Sequence, residues 1–367
     1  WEIAMLRLCF CLLFAAGTAL AERSMTSAGP VEITAMVRGL DEPWSVGFLP
    51  GGGLLITERD GRLLHVARDG QSTPVAGVPR VAAVGQGGLL DVLVPGDFAQ
   101  RGEIFLSYAR PDGRRAGTAV LRGRLSSDRS RLTEVTTIFS MNAPTGAGQH
   151  FGSRLVEAPD GHLFLTIGDR GDRPAAQDLT RHNGSVLRLT RDGAAAPGNP
   201  DLGNGALSEI WSYGHRNPQG AALDLDGTLW VNEHGARGGD EVNRIRKGAN
   251  YGWPVIAYGR HYSGSRIGEG TAKPGMEQPR HYWDPSIAPS GMMFYSGKLW
   301  PQWRGDLFVG SLKFDYIARL DGSPLAEVEQ LKSPATQRVR DVREGPDGAI
   351  WFLSVGEGAL YRMAPGG

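Results

Sequence analysis

A short run of apolar residues recurs six times along the chain, and each copy follows a glycine by two positions. The copies begin at Gly52, Gly102, Gly161, Gly227, Gly305 and Gly348. In three copies a turn dipeptide, such as Pro159-Asp160, stands directly before the glycine. A glycine that leads into consecutive apolar residues is typical of a tight turn followed by a buried β-strand. The pattern therefore predicts six equivalent buried strands.

Successive copies begin 43 to 78 residues apart. This spacing is uneven, but it is close to the size of a four-stranded propeller blade with loops of variable length. We therefore predict an all-β fold, a six-bladed β-propeller of four-stranded antiparallel blades. The alternative is another β-rich architecture in which such turns are scattered. No Pro- or Ser-rich linker and no charge run divides the chain, so residues 22–367 are predicted to form a single domain.

The first residues have the features of a targeting segment. Met5 and Arg7 begin a short charged region, residues 8–16 are apolar but too few to span a bilayer, and residues 19–21 carry a small-x-small cleavage pattern. We predict that residues 1–21 are a signal peptide with a short upstream extension, and that the mature chain begins at Glu22. The mature protein would be periplasmic or secreted, with no stable membrane insertion. An uncleaved anchor is the alternative.

Composition limits the partners and the chemistry of this chain. Lys and Arg together number 39, and so do Asp and Glu, so no overall field attracts nucleic acid and any anion must be bound locally. Both cysteines, Cys9 and Cys11, lie within the predicted signal peptide. The mature chain therefore has no thiol for metal binding or redox chemistry, and it must use oxygen and nitrogen ligands or a cofactor.

Polar residues outside the apolar runs concentrate in a few loops, where binding groups on a rigid scaffold are expected. These loops contain Gln86, the glycine-flanked His150, Arg216-Asn217-Pro218, Asp240-Glu241, Lys313, and Arg338 with Arg340. Each signal is weak alone. A glycine-flanked histidine is commonly a turn residue, Asp240-Glu241 could be a solvated face, and the two C-terminal arginines could pair with Asp341 and Glu344.

Taken together, the cationic residues predict one shared site. Arg216, Lys313, Arg338 and Arg340 follow or adjoin strands of different repeats, and a propeller brings equivalent strand ends together around one mouth. Four cations that converge in a chain without net charge would form a pocket for a molecule with several carboxylates or phosphates.

These stretches resemble the soluble, quinone-dependent glucose/sorbosone dehydrogenases, and they are most similar to the branch of periplasmic aldose sugar dehydrogenases. The resemblance runs from Leu40 to Arg362. Its most specific pieces are residues 214–220 (Gly-His-Arg-Asn-Pro-Gln-Gly), 232–235 (Asn-Glu-His-Gly), 239–241, 250–254 (Asn-Tyr-Gly-Trp-Pro), 288–290, 311–313 and 338–341. The family fold is a six-bladed propeller, in agreement with the repeat count.

The resemblance also implies a cofactor and a metal. In that family pyrroloquinoline quinone (PQQ), which bears three carboxylates and an ortho-quinone, lies across the top of the propeller with Ca²⁺ at its quinone edge. By motif match His150 takes the place of the general base, and the cofactor contacts fall on Gln86, Arg216, Asn217, Tyr262, Lys313, Arg338 and Arg340. The carbonyls of Gly235 and Ala236 match the ligands of the catalytic calcium ion, and Glu241 with the carbonyl of Tyr251 matches a second, structural calcium site.

The implied reaction is oxidation of the anomeric hydroxyl of an aldose to the lactone by hydride transfer to PQQ. An imidazole with a near-neutral pKa suits the base that takes the hydroxyl proton. Calcium would polarise the quinone carbonyl, and Arg216 would stabilise the developing oxyanion. The electrons would pass to a soluble or membrane-bound acceptor. No Gly-x-Gly-x-x-Gly stretch opens a helix after a strand, so a nicotinamide cofactor has no support.

Two positions depart from the family pattern. Ala236 stands where the family commonly has proline, so the calcium loop loses a rigid φ. Gln149 precedes the histidine where the glucose-oxidising branch has aspartate, so the sequence does not identify the group that orients His150. The glycine-rich segment from Tyr258 to Arg280 is long enough to cover the mouth and to tune substrate access.

Two other functions stay open at the level of the sequence. A calcium-dependent lactonase or esterase propeller would bind its metal through carboxylate and asparagine side chains, and it would not need a ring of Arg and Lys. A propeller that binds sugar or protein without catalysis is the second alternative, because one scaffold hosts many functions. The combined presence of His150, Gln86, Arg216, Lys313 and Arg340 argues against it.

Overall fold

The computed structural model describes residues 21–203 and 205–366, which form six antiparallel sheets. The predicted signal peptide, residues 1–21, lies outside the described residues except for Ala21. Within the described part of the chain, no helix has both the length and the apolar character needed to cross a bilayer.

The first strands and blades follow one another in chain order. Two N-terminal strands, β1 (Glu22–Thr26) and β2 (Gly29–Arg38), belong to the last blade. Blade 1 contains β3 (Pro43–Phe48), β4 (Leu54–Glu58), β5 (Leu63–Val66) and β6 (Ser72–Pro74); blade 2 contains β7 (Leu89–Leu93), β8 (Glu103–Asp112), β9 (Arg115–Leu125) and β10 (Leu132–Ser140); blade 3 contains β11 (Leu155–Glu157), β12 (Leu163–Ile167), β13 (Ser185–Leu189) and β14 (Ile210–Tyr213).

The second half of the chain repeats this arrangement. Blade 4 contains β15 (Pro218–Leu223), β16 (Leu229–Glu233), β17 (Asp240–Arg244) and β18 (His281–Trp283); blade 5 contains β19 (Pro289–Phe294), β20 (Leu307–Ser311), β21 (Ile317–Asp321) and β22 (Ala326–Leu331); blade 6 contains β23 (Val339–Glu344), β24 (Ile350–Ser354) and β25 (Ala359–Pro365). The described helices are short: α1 (Phe98–Arg101) and three 3₁₀ turns at Arg173–Gln177, Pro301–Trp303 and Pro334–Thr336.

The ring is closed by strands from the two ends of the chain. β2 pairs antiparallel with β25, from Val31 opposite Pro365 to Arg38 opposite Ala359, and thereby supplies the fourth strand of blade 6. β1 adds a further outer strand to the same sheet. The innermost strands β3, β7, β11, β15, β19 and β23 contact one another in this order, and β23 also contacts β3. The predicted six-bladed propeller is confirmed.

All six repeated sequence patterns occupy the same place in their blades. They form the second strands, namely β4, β8, β12, β16, β20 and β24. The glycine that opens each copy has a φ between 65° and 97°, a conformation that side chains with a Cβ rarely adopt. The repeat is therefore a turn-and-strand unit that recurs once in each blade.

The hydrophobic core lies between neighbouring blades. Leu55 of blade 1 packs with Leu106 of blade 2, and Phe308 of blade 5 packs with Phe352 of blade 6. All four side chains are completely buried, and each contributes about 1.5–3 kcal/mol to the free energy of unfolding by its removal from water. Inner strands such as β4 are buried on both faces, whereas the outermost strands such as β22 alternate between exposed and less exposed residues.

A buried ion network joins the inner strands near the axis. Arg154, which precedes β11, donates from Nη1 to Asp91 Oδ1 of β7 at 3.1 Å and lies 3.2 Å from Asp341 Oδ1 of β23. Arg343 of β23 contacts the same two carboxylates at 3.2 and 3.1 Å. Arg154 Nε also donates to the Gln219 carbonyl of β15 at 3.1 Å. Two arginines and two carboxylates thus connect four blades.

Removal of the central cation from this network should destabilise the fold. In Arg154→Met, Asp91 and Asp341 remain buried with one arginine between them, so the free energy of unfolding should fall by about 3–5 kcal/mol. Urea unfolding measures the change. Exposed Arg110→Met is the control, with an expected change of about 0.5 kcal/mol or less. Equal stability of the two variants would contradict the structural role of the network.

Candidate active site

The predicted site residues stand at two kinds of position in the blades. Gln86, His150, Asn217 and Arg338 precede the first strands of their blades, whereas Lys313 follows a second strand. Because the first and second strands are antiparallel, the start of one and the end of the other lie at the same end of a blade. These residues therefore reach one face of the ring, which we call the mouth.

A cavity of about 580 Å³ opens at the mouth. Four of the predicted cofactor contacts line it: Gln86, Lys313, Arg338 and Arg340. Trp44, Arg59, Gln219 and His234 are also among the lining residues. The volume lies within the range of about 300–1,000 Å³ that is usual for ligand sites.

The lining of this cavity carries positive charge with few counter-charges. Among the described residues, Lys313, Arg338 and Arg340 form no ion pair with a carboxylate, and Arg59 is paired with Glu42 at 2.6 Å. Burial, together with the charges of Arg338 and nearby arginines, lowers the pKa of Arg340 to about 9. An anion in the cavity would relieve this repulsion, so the arrangement fits a ligand with several carboxylates.

The simpler interpretation of the C-terminal arginines is wrong. Arg338 and Arg340 do not pair with Asp341 and Glu344, because Asp341 is paired with Arg154 at 3.2 Å and with Arg343 at 3.1 Å. Glu344 accepts hydrogen bonds from the backbone and side chain of Ser296 at the other end of β23. Arg338 and Arg340 instead donate to Leu312 O and Gln219 Oε1, at 3.2 and 3.1 Å.

His150 is held in a defined orientation. Its backbone is left-handed, with φ of 58°, and its N–H donates to Gln86 Oε1 at 2.7 Å. The ring Nδ1 lies 2.6 Å from Asp169 Oδ1. Since a carboxylate only accepts, Nδ1 carries the proton, and Nε2 makes no hydrogen bond to the described residues. The free lone pair on Nε2 is what a general base requires.

Asp169 is the group that orients His150, and the sequence did not identify it. It follows β12 by two residues and is completely buried. Besides His150, the Gly171 N–H and Trp253 Nε1 donate to it at 2.7 and 2.9 Å. Burial alone would raise the pKa of Asp169, but these hydrogen bonds hold it below the usual value. The carboxylate is therefore ionised and can stabilise an imidazolium.

The electrostatic surroundings keep His150 neutral at physiological pH. Burial lowers its pKa, the hydrogen bond and charge of Asp169 raise it, and the charge of Arg216 lowers it again. The net pKa lies below the usual 6.5. Arg170 holds the same loop from behind, because it donates to the carbonyls of Gln149 and Ala147 and stacks on Phe151.

A small second chamber contains all four predicted calcium ligands. It has a volume of about 20 Å³, which is room for one water-sized species. Gly235, Ala236, Glu241 and Tyr251 line it, together with Arg216. Arg216 donates to the carbonyl of Gly235 and, at 3.1 Å, to that of His234. The Gly235 carbonyl is thus bound by the Arg216 guanidinium.

Two carboxylates that line this chamber, Glu233 and Glu241, fit a cation. Burial and the nearby charge of Glu233 raise the pKa of Glu241 to about 8. Asn243 donates to both carboxylates at 3.1 Å. The described residues contain no cluster of three or more His, Cys, Asp or Glu side chains suited to a metal, so a cation here would depend largely on backbone carbonyls.

The carboxylate of Asp240, which precedes Glu241, does not face solvent. Asp240 is buried and accepts the N–H groups of Gly235 and Ala288, each at 2.8 Å. This contact fixes the loop that presents the Gly235 carbonyl. A side chain at position 235 would place its Cβ 2.2 Å from the Gly238 carbonyl oxygen, so the loop requires glycine there even though Ala236 replaces proline.

Not every predicted residue reaches a cavity. Tyr262 is 72% exposed and lines neither chamber. His150 and the buried Asn217 also line neither, although His150 lies in electrostatic range of Arg216. The predicted contacts are thus divided between the two chambers, the exposed loop that carries Tyr262 and buried positions that line neither chamber.

Five further residues with a place in this site were not identified from the sequence. Four line the mouth cavity and one orients the histidine: Trp44, Arg59, Gln219, His234 and Asp169. The positions of most of them could have indicated a place at the mouth. They fall at the start of a first strand or just after a second strand, as the identified residues do. Their residue types alone carried no such signal.

Loss of the Asp169 charge should shift the titration of His150. Asp169→Asn keeps a hydrogen-bond acceptor but removes the negative charge that raises the histidine pKa, so the pKa should fall further below 6.5. Titration of the imidazole by NMR in the cofactor-free protein measures the shift. Surface Asp192→Asn should leave the value unchanged. A higher pKa in Asp169→Asn would refute the assigned electrostatics.

Comparisons with known proteins bear on this site. The profile of the family described as Glucose / Sorbosone dehydrogenase matches residues 40–362. The chain is 46% identical over 345 residues to aldose sugar dehydrogenase YliI of Escherichia coli, an alignment covering 91% of this chain and 93% of that protein.

Two solved structures are similar over nearly their whole length. The soluble aldose sugar dehydrogenase from Escherichia coli in the apo-form is 44% identical with a TM-score of 0.88, and the match covers 92% of this chain and 100% of that one. The PQQ-bound form of aldose sugar dehydrogenase from Streptomyces coelicolor is 26% identical with a TM-score of 0.77, over 95% and 99% of the two chains.

Proposed function

This chain belongs to the glucose/sorbosone dehydrogenase family, and we propose that it is a PQQ-dependent aldose sugar dehydrogenase that oxidises the anomeric hydroxyl to the lactone. The observation that carries the proposal is the mouth cavity, which is lined by three cations that pair with no carboxylate among the described residues. Gln86 also lines this cavity and accepts the backbone N–H of His150, whose ring is paired with Asp169. The likeness to enzymes named aldose sugar dehydrogenases, one of them in a PQQ-bound form, supports the same function.

The residues present fit the implied cofactor. Lys313, Arg338 and Arg340 would pair with its carboxylates, because unpaired guanidinium and ammonium groups bind carboxylates by charge-assisted hydrogen bonds. The carbonyls of Gly235 and Ala236 would hold a calcium ion. When bound, PQQ with calcium supplies an electrophilic quinone that accepts the hydride.

The protein's own part in the reaction is to move a proton and to fix charge. His150 Nε2 takes the proton of the anomeric hydroxyl, while Asp169 fixes the ring tautomer and stabilises the imidazolium that forms. Arg216 provides a buried positive charge close to His150. Because the pKa of His150 lies below 6.5, the base is already deprotonated at neutral pH.

The remaining predicted features belong to the same proposal. Glu241 and the Tyr251 carbonyl would bind a second, structural cation; because the chamber has room for one water-sized species, a second cation would require the surrounding loop to open. Segment 1–21 would export the chain, and the electrons would pass to a separate soluble or membrane-bound acceptor. Tyr262, on the exposed loop above the mouth, would contact the cofactor only if that loop closes over it.

Reconstitution tests the proposed activity. The mature chain, purified without cofactor, is mixed with Ca²⁺ and PQQ, and reduction of an electron-acceptor dye is followed with a panel of aldoses. We expect dye reduction that requires both additions. Hydrolysis of lactones without PQQ would instead support the lactonase alternative, and no turnover in either assay would support a non-catalytic binding propeller.

Replacement of the base separates binding from catalysis. His150→Ala should still bind PQQ, but sugar oxidation should fall by at least about a hundredfold, the usual loss when a general base is removed. His162→Ala, a half-buried histidine in the turn between β11 and β12 at the opposite end of the propeller, is the control and should keep full activity. Retained activity in His150→Ala would remove this residue from the mechanism.

A further inference from the structure

Four polar side chains form a continuous hydrogen-bonded chain in the mouth cavity. Arg340 Nη1 donates to Gln219 Oε1 at 3.1 Å, and Gln219 Nε2 donates to Asn217 Oδ1 at 3.1 Å. Asn217 Nδ2 lies 3.5 Å from His234 Nδ1, which is the longest link, and His234 Nε2 lies 2.8 Å from the Pro289 carbonyl oxygen. Gln219, His234 and Arg340 all line the cavity.

The two ends of the chain fix the direction of every hydrogen bond. A guanidinium can only donate, so Gln219 must present its oxygen to Arg340 and its NH₂ group to Asn217. Asn217 must then accept with its oxygen and present its own NH₂ group to His234. At the other end the Pro289 carbonyl can only accept, so His234 carries its proton on Nε2. The requirement of Arg340 at one end and that of Pro289 at the other are therefore met by the same set of donors and acceptors.

If any one of these side chains reversed its donor and acceptor atoms, two hydrogen-bond donors would face each other. If the proton of His234 moved to Nδ1, it would face the Asn217 NH₂ group, and a compensating flip of Asn217 and then of Gln219 would point an NH₂ group at Arg340. Asn217 and Gln219 are almost completely buried, with 1% and 8% of their surface exposed, so water does not readily replace the lost partners. The state of His234 is therefore coupled to Arg340.

We propose that His234 is a positioning residue for the cofactor site, a neutral Nε2–H imidazole that ends this chain and thereby holds Arg340 toward the mouth cavity. The chain runs from blade 6 through blade 4 to the first residue of blade 5, so it also fixes three blades relative to one another at the mouth. The identity of the bound ligand as PQQ rests on the proposed function; the hydrogen-bond chain does not.

The tautomer can be measured without any cofactor. In long-range ¹H–¹⁵N NMR spectra of the cofactor-free protein at neutral pH, His234 should show a protonated Nε2 and an unprotonated Nδ1. A dominant Nδ1–H form, a rapid mixture of tautomers or an imidazolium would overturn the proposal. Assignment by comparison with His234→Gln, which lacks the ring, identifies the signals.

Two substitutions test the positioning role. Glutamine offers an acceptor and a donor on neighbouring atoms and can replace the imidazole, whereas leucine has a similar size and offers neither. Measured by quenching of tryptophan fluorescence at fixed Ca²⁺, the Kd for PQQ should rise at least about tenfold in His234→Leu, the usual effect of a broken buried hydrogen-bond network. In His234→Gln it should stay within about threefold of the wild-type value.

The outcomes separate this proposal from the proposed function. Equal affinity in His234→Leu and wild type, or equal loss in both variants, would overturn the positioning role. If His234→Leu does not fold in a thermal melt, the wild-type tautomer and the affinity of His234→Gln decide. If the wild-type chain does not bind PQQ at all, the proposed function fails, while the tautomer measurement still tests the hydrogen-bond chain.

Discussion

The distribution of charge along the propeller axis determines what this protein can do. Deep in the ring, Arg154 and Arg343 are neutralised by Asp91 and Asp341, and this network joins the inner strands. At the mouth, the charge of Arg340 is not neutralised. Trp44 lies between the two levels, with its ring 4.3 Å from the Arg154 guanidinium and 5.9 Å from that of Arg340. The charges of the scaffold are therefore balanced deep in the ring and unbalanced at the mouth cavity, where we propose that an anion binds.

The site depends on contacts that cross from one blade to the next. Gln86 of the loop before blade 2 holds the backbone of His150, which precedes blade 3, and the Asp169 N–H in turn binds the Arg216 carbonyl before blade 4. The backbones of His150 and Asp169 are thus each fixed by a residue from a neighbouring blade. Closure of the ring by β2 and β25 is consequently a condition for the geometry of the site as well as for stability.

The sequence was sufficient for the fold and identified four of the residues that line the mouth cavity, for reasons that the structure makes clear. A turn glycine with positive φ and three apolar residues recur because every second strand has the same environment. Asp169 could not be predicted, because its role arises from the approach of two loops 19 residues apart in sequence. Asp240 could not be recognised as buried, since an acidic pair in a loop usually faces solvent. In the sequence, His234 was one residue of the Asn-Glu-His-Gly motif with no role of its own. Its role became visible only from the hydrogen-bond partners of its two ring nitrogens.

Binding of one polyanionic redox cofactor by the cations at the mouth can be measured by isothermal titration of PQQ into the calcium-loaded mature chain. We expect saturable binding of about one PQQ per chain. The affinity should fall steeply as the salt concentration rises, because the pairing of carboxylates with partly exposed cations is screened. Absence of saturable binding, or an affinity that does not change with salt, would contradict this expectation.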